Sequence, residues 1–336
     1  LYHDMLKKSS RRFWWYNIYY MGAVRNKKIS RRSRFLVSLV ATFIILGIAA
    51  FGITIVVYKF VVAGAETDTI QIIVLPDSTP DEAPAAKPVS KEIDFQPTVN
   101  EWVNSIGGSK SVLIYDLDLS KVVGFYNTKE NYNTASLYKL FVVYEGYKRV
   151  FEKEWDQNAN TGSTGKTIIE CLDLAIRESN SACAETLWGI IGRDNLDVII
   201  KEEWKITNSN ISKLISNVTD IALIMKRFYE HPDFNDTTLL NKMWDSFLNQ
   251  PVTEYDWRQG LPKGFAKATV YNKVGWDFNP DGNYWNIYHD AAIVKFPQDN
   301  DTTRDFIVVV MTNRVDFKNI RKFGQMLEEK FYEDNI

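Results

Sequence analysis

Between residues 111 and 127 the chain reads SVLIYDLDLSKVVGFYN, with apolar and polar positions alternating on either side of a polar turn. That period of two predicts a β-hairpin. From residue 136 the apolar positions fall three and four apart instead, as on one face of a helix. The stretch GKTIIECLDLAIRESNSACAETLWGIIG (165–192) predicts two helices, the second stopped by Gly192, and 194–204, 218–230 and 238–249 predict three more. Strand patterning returns in KATVYNKVGW (267–276), NIYHDAAIVKF (286–296) and DFIVVVMTN (305–313), and an amphipathic helix at 318–334 closes the chain. Strands at both ends with helices between predict an α+β fold, an antiparallel sheet built from both ends of the domain with an all-helical lobe inserted.

The residues ahead of this domain follow another pattern. Positions 35–58, FLVSLVATFIILGIAAFGITIVVY, carry no charge over 24 residues. As a helix they would be about 36 Å long, enough to cross a bilayer core of about 30 Å with some tilt. Residues 1–34 hold ten Lys or Arg against one acid, while the rest of the chain holds 30 basic and 41 acidic residues. A positive cluster just before an apolar span predicts a single-pass protein of the cell membrane, its N-terminus cytoplasmic and its folded part extracytoplasmic. Five prolines between Pro76 and Pro97 mark an extended tether, with TIQIIVL (69–75) a short strand inside it. The expected divisions are a basic segment at 1–34, a transmembrane helix at 35–62, a Pro-rich linker at 63–97 and a folded domain at 98–336.

Composition narrows the function. With 45% hydrophobic and 14% aromatic residues a sizeable core can form, which excludes wholesale disorder. The basic excess lies in residues 1–34 and the remainder of the chain is net acidic, which argues against nucleic-acid binding. Two Cys and three scattered His give no metal-ligand spacing, so no metal and no cofactor is expected. Cys171 and Cys183 lie twelve apart, and the sequence leaves their pairing open. NTGSTGKT (160–167) mimics a phosphate-binding loop but has Asn160 where that motif needs glycine, and no apolar strand precedes it.

The chemistry concentrates in TASLYKLFVV (134–143). A serine hydroxyl attacks only when something removes its proton. Lys139 follows Ser136 by three residues, so on a helix both lie on one face, and the surrounding apolar residues favour a neutral amine. The helix N-terminus also directs unpaired N–H groups toward Ser136. A second Ser-x-x-Lys, Ser163–Lys166, falls in a polar Gly-rich turn and reads as a loop. His289–Asp290 suggests a Ser-His-Asp triad, but neighbouring strand residues point to opposite faces and Ser136 already has a base.

The order of motifs resembles class A β-lactamases and penicillin-binding proteins, whose signature is S-x-x-K, then S-D-N, then K-T-G. Here TASLYK is followed by SNSA (179–182) and NKVG (272–275), and the flanking strands are similar too, over residues 98–334. The resemblance implies a β-lactamase-like fold with Ser136 as nucleophile, Lys139 as its base and Ser179 as proton relay to the leaving nitrogen. It implies that Asn180, Ser181, Lys273, Gly275 and Trp276 bind substrate, with the backbone N–H groups of Ser136 and Trp276 as the oxyanion hole. The implied partner is a β-lactam or a D-Ala-D-Ala peptide.

Departures from that pattern keep alternatives open. Ser181 replaces the asparagine of S-D-N, and a shifted register, Ser181-Ala182-Cys183, resembles a penicillin-binding variant. Val274 removes a hydroxyl that would meet a substrate carboxylate. Glu202 and Glu203 lack the Glu-x-x-x-Asn pattern of the deacylating loop. The leading expectation is a β-lactamase acylated at Ser136. Its rivals are a D-Ala-D-Ala carboxypeptidase or slow penicillin-binding protein, and an inactive domain that binds cell wall or a partner.

Overall fold

The computed structural model describes residues 91–231, 234–251, 256–277, 286–298 and 302–334. The basic segment, the expected membrane helix and the 69–75 strand lie outside them. Among the described residues no helix is long and apolar enough to cross a membrane.

In chain order the elements are α1 (Gln96–Ser105), β1 (Ser109–Asp116), β2 (Lys121–Tyr126), β3 (Tyr132–Asn133) and α2 (Tyr138–Phe151). Then follow α3 (Ile168–Arg177), α4 (Ser181–Ile191), α5 (Arg193–Glu202), β4 (Ile215–Ser216), α6 (Val218–Glu230) and α7 (Thr237–Leu248). β5 (Thr269–Asp277), β6 (Ile287–Pro297), β7 (Thr303–Asn313) and α8 (Phe317–Asp334) complete the domain. Five strands form one antiparallel sheet in the order β2-β1-β7-β6-β5. The two ends of the domain meet where β1 pairs with β7, Leu113 opposite Val309. β3 and β4 make a separate two-stranded pair, too short for any periodicity to announce it.

Both faces of the sheet are covered, and the period of two sorts its side chains between two cores. Leu113, Ala291, Ile293, Ile307 and Val309 pack against the helical lobe, whereas Val112, Val294, Phe306 and Val308 pack with Trp102 of α1 and Phe323 and Leu327 of α8. Burial on both faces explains why β7 reads as an almost continuous apolar run. Within the lobe, α2 is buried all round: Leu140, Phe141, Val142, Val143, Tyr144 and Tyr147 have no exposed surface. Each large apolar side chain so buried contributes roughly 1.5–3 kcal/mol, which anchors α2, the helix that carries Lys139.

The packed domain begins ahead of residue 98. Ile93 and Phe95 are buried, and Pro97 lies in the first turn of α1. Proline suits that position because the first helical N–H groups have no intrahelical partner, so Pro97 marks a helix start rather than the end of a tether. α1 lies tightly on the hairpin, where a Cβ at Gly124 would come within 3.1 Å of Val99 and 3.2 Å of Phe95. Cys171 and Cys183 form a disulfide joining α3 to α4.

Candidate active site

Ser136 sits in a 3-10 turn, Ala135–Leu137, that runs straight into α2. The residues before it are tied down. Ala135 N–H donates to Asn133 Oδ1 at 2.8 Å, Leu137 N–H to Thr134 O at 2.9 Å, and Thr134 N–H to Leu214 O at 2.8 Å. These bonds hold Ala135 at φ 44°, a left-handed conformation costly for a residue with a side chain. A 3-10 turn stacks residues i and i+3, and Lys139 Nζ lies 3.1 Å from Ser136 Oγ.

Lys139 is fully buried and reaches the next helix as well. Its Nζ donates to Ser179 O, and lies 3.2 Å from Ser179 Oγ and 3.1 Å from Ser181 Oγ. From the sheet, Lys273 Nζ donates to Ser179 Oγ and to Val274 O, both at 2.9 Å. The Ser179 hydroxyl therefore bridges two buried amines, and Ser136, Lys139, Ser179, Ser181 and Lys273 form one connected network. Ser136 is partly exposed and Ser181 exposed, so the network meets solvent on their side. Ser179 also holds a left-handed backbone, φ 52°, between the end of α3 and the start of α4.

Burial sets the charges. Desolvation lowers Lys139 to about 8, opposed by the Glu185 carboxylate. Desolvation and then the charge of Lys139 push Lys273 well below its ordinary value, with Asp290 opposing. Two buried ammonium groups on one hydroxyl repel each other, so the pair releases a proton more readily than two surface lysines. Such a pair can take a proton from a serine near neutral pH and pass one on through Ser179.

Gly275 is where β5 closes on the serine turn. A Cβ there would lie 2.7 Å from Thr134 O, 3.0 Å from Leu137 Cγ and 3.1 Å from His289 Cδ2, so only glycine allows the approach. Trp276 and Val274 occupy the opposite face of β5 from Lys273. The Trp276 ring packs on Trp257, Tyr288 and Phe317, and Val274 is buried in the α1–α8 core. The expectation that Val274 costs the cleft a hydroxyl is thus corrected, because its side chain leaves the cleft. Asn180 has a structural role that the resemblance does not imply: its Oδ1 accepts Cys183 N–H at 3.0 Å and caps α4.

His289 and Asp290 are both fully buried and point to different faces, as alternation predicted. His289 Nδ1 accepts Thr312 N–H at 3.0 Å and Nε2 faces Asn133 O at 2.8 Å. Burial lowers its pKa to about 4, so the ring is neutral. Asp290 accepts Leu261 N–H and the Asn272 amide on the other side, out of reach of the histidine's imidazole nitrogens, so no triad forms. The second Ser-x-x-Lys is on an exposed loop, with Ser163 Oγ bonded to Thr186 Oγ1 at 2.7 Å. Sequence reasoning missed the Tyr138 hydroxyl, which donates to Glu185 Oε1 at 2.7 Å and ties α2 to α4 beside Lys139.

Residues 94–331 match the model of the β-lactamase enzyme family. The chain belongs to that family. It is a serine hydrolase of the β-lactamase type, and its fold is shared with solved class A enzymes at low identity. A reconstructed class A β-lactamase, the ancestor of those in Gram-negative bacteria, is 14% identical with a TM-score of 0.59, over 70% of this chain and 99% of that one. A class A β-lactamase from Bacteroides cellulosilyticus is 13% identical at a TM-score of 0.59, over 72% and 100%. No curated protein sequence matches the chain.

Within the β-lactamase family two of the departures acquire a place. Ser181 puts a third hydroxyl on Lys139 at 3.1 Å, where the pattern has an asparagine. Glu202 and Glu203 are exposed at the end of α5, and Glu203 faces Glu145 and Lys148, about two turns along α2 from Lys139.

Proposed function

We propose that the protein is a membrane-anchored, extracytoplasmic serine β-lactamase acylated at Ser136. Lys139, in its neutral form, takes the Ser136 proton as Oγ bonds to the lactam carbonyl carbon. The N–H groups of Ser136 and Trp276 receive the oxyanion. As the carbonyl reforms, the C–N bond breaks, and the nitrogen takes the Ser179 hydroxyl proton, which an amine beside it replaces. Lys273 supplies positive charge toward the substrate carboxylate, with Ser181 and the Gly275 backbone lining the same cleft. The observation that carries this reading is the 3.1 Å approach of a fully buried lysine to Ser136 Oγ. The Cys171–Cys183 disulfide supports an oxidising compartment, and the uncharged run at 35–58 supports the anchor.

A second reading, a D-Ala-D-Ala carboxypeptidase or penicillin-binding protein with slow deacylation, is favoured by the position of Glu203 along α2, away from Ser136. Incubation of the full chain in detergent with a fluorescent penicillin and a chromogenic cephalosporin, beside Ser136→Ala, separates the two. Turnover abolished by the substitution supports the lactamase, and a persistent covalent label without turnover supports the second. Wild-type protein that neither labels nor turns over overturns both.

A further inference from the structure

Three groups converge beneath the turn that presents Ser136, and one of them has no part in the mechanism above. Asn133 O is held by His289 Nε2 at 2.8 Å, and the other imidazole nitrogen is fixed by Thr312 N–H at 3.0 Å. A backbone N–H can only donate, so Nδ1 is the acceptor and Nε2 carries the proton that goes to Asn133 O. The Tyr132 ring meets the imidazole edge-on, with centroids 5.8 Å apart. Asn133 in turn accepts the Ala135 N–H, one residue before the serine. His289 belongs to β6 and is paired on both sides, with Gly275 of β5 and Met311 of β7.

We propose that His289 is a positioning residue for acylation: one imidazole, its tautomer locked by β7, fixes the height of the Asn133–Ala135 turn and hence the line of Ser136 Oγ toward Lys139 and the substrate carbonyl. This rests on the assignment of Ser136 as nucleophile. The physical need is clear from the turn itself. Ala135 stands in a left-handed conformation that relaxes unless its neighbours hold it. β3, two residues long, pairs among the described residues with another two-residue strand, Ile215–Ser216, and cannot supply that restraint alone. The bond from His289 joins the turn to the five-stranded sheet, and burial keeps the ring neutral so that the tautomer persists at physiological pH.

Two substitutions separate the two imidazole nitrogens. His289→Asn keeps an acceptor near Thr312 N–H and loses the donor to Asn133 O. His289→Gln carries an amide donor out to the Nε2 position. In the full chain, the rate of covalent labelling by fluorescent penicillin is expected to fall about 10- to 100-fold in His289→Asn, with saturation at unchanged penicillin concentration, and to return within about threefold in His289→Gln. Amide hydrogen exchange over 133–137 reads the same restraint without any lactam chemistry, and should be faster in the Asn variant and restored in the Gln variant. His289→Asn that labels at the wild-type rate while folded overturns the proposal, as does an exchange rate over the turn that neither substitution changes. Wild-type protein that fails to label, with the exchange pattern as expected, overturns the role of Ser136 and leaves the restraint standing.

Discussion

If Lys139 is the base that activates Ser136, acylation must follow the neutral fraction of its amine. Burial places that group near 8. From that value about 1% of the amine is neutral near pH 6, about 9% near pH 7 and half near pH 8. kcat/KM, which reports the free enzyme, should therefore rise roughly 50-fold from about pH 6 to about pH 8 and then level off. The sign is fixed by the direction of the shift: a base with lowered pKa is protonated, and idle, on the acid side. A surface lysine near 10.4 would instead leave the rate climbing tenfold per pH unit throughout that range.

The assay is stopped-flow labelling by fluorescent penicillin at limiting concentration across this range, with unfolding monitored in the same buffers. Lys273→Met supplies the internal check. The lowering of Lys139 comes from burial, with Glu185 opposing, and the repulsion within the pair falls on Lys273, so the inflection should stay near its wild-type position in Lys273→Met. A flat profile, or one that falls with pH, refutes general-base action by Lys139. So does an inflection that disappears in Lys273→Met, because the titration would then belong to Lys273.

Other consequences follow from the packing around the site. Gly275→Ala drives a Cβ to 2.7 Å from Thr134 O, a backbone atom that cannot swing away, and should cost about 1–3 kcal/mol in urea unfolding together with most of the labelling rate. Asn180→Ala removes the α4 cap and should cost about 1 kcal/mol, while Asn180→Asp should retain the stability. Arg304→Met strands the fully buried Asp116 carboxylate and should cost about 3–5 kcal/mol, read by thermal melting. His289 keeps off a proton until about pH 4, whereas the unfolded chain accepts one near 6.5, so its contribution falls by about 2 kcal/mol between about pH 7 and pH 5. His289→Asn should lack that acid-side loss, and paired unfolding curves measure the difference. Asp290, raised to about 7, acts in the opposite sense by favouring the protonated native state, and cancels because both proteins carry it.

Much of the architecture was legible because its signals are periodic. The switch from period two to period 3.6 after the hairpin, and back again near residue 267, bounds the helical lobe without reference to any homologue. Legibility failed where the signal is local. α1 is hidden in the sequence because Pro97 follows four other prolines of the linker, although Thr98, Val99, Trp102 and Val103 carry helical spacing and are buried. β3 and β4 are two residues each, and no pattern fits in two residues. The proximity of Ser136 and Lys139 was legible from spacing and apolar surroundings, whereas the roles expected of them came from the order of the motifs. The side on which Val274 falls, and the capping by Asn180, depend on strand register and on where α4 starts. A motif does not encode either.

The same contrast explains why this site needs so many supports. A Ser-Lys pair within one turn specifies its own proximity, but proximity does not aim the hydroxyl. The aim comes from three places distant in sequence: Gly275, whose missing side chain lets β5 come close; His289, which grips the turn from beneath; and Leu214, just before β4, whose carbonyl holds Thr134 N–H. Each acts on the backbone of residues 133–134, not on the serine. Substitutions there should lower the reaction rate more than they weaken substrate binding, because substrate contacts stay in place while the attacking oxygen moves. Equal losses in kcat and in substrate affinity for Gly275→Ala and for His289→Asn would mean that the turn shapes the cleft rather than the nucleophile.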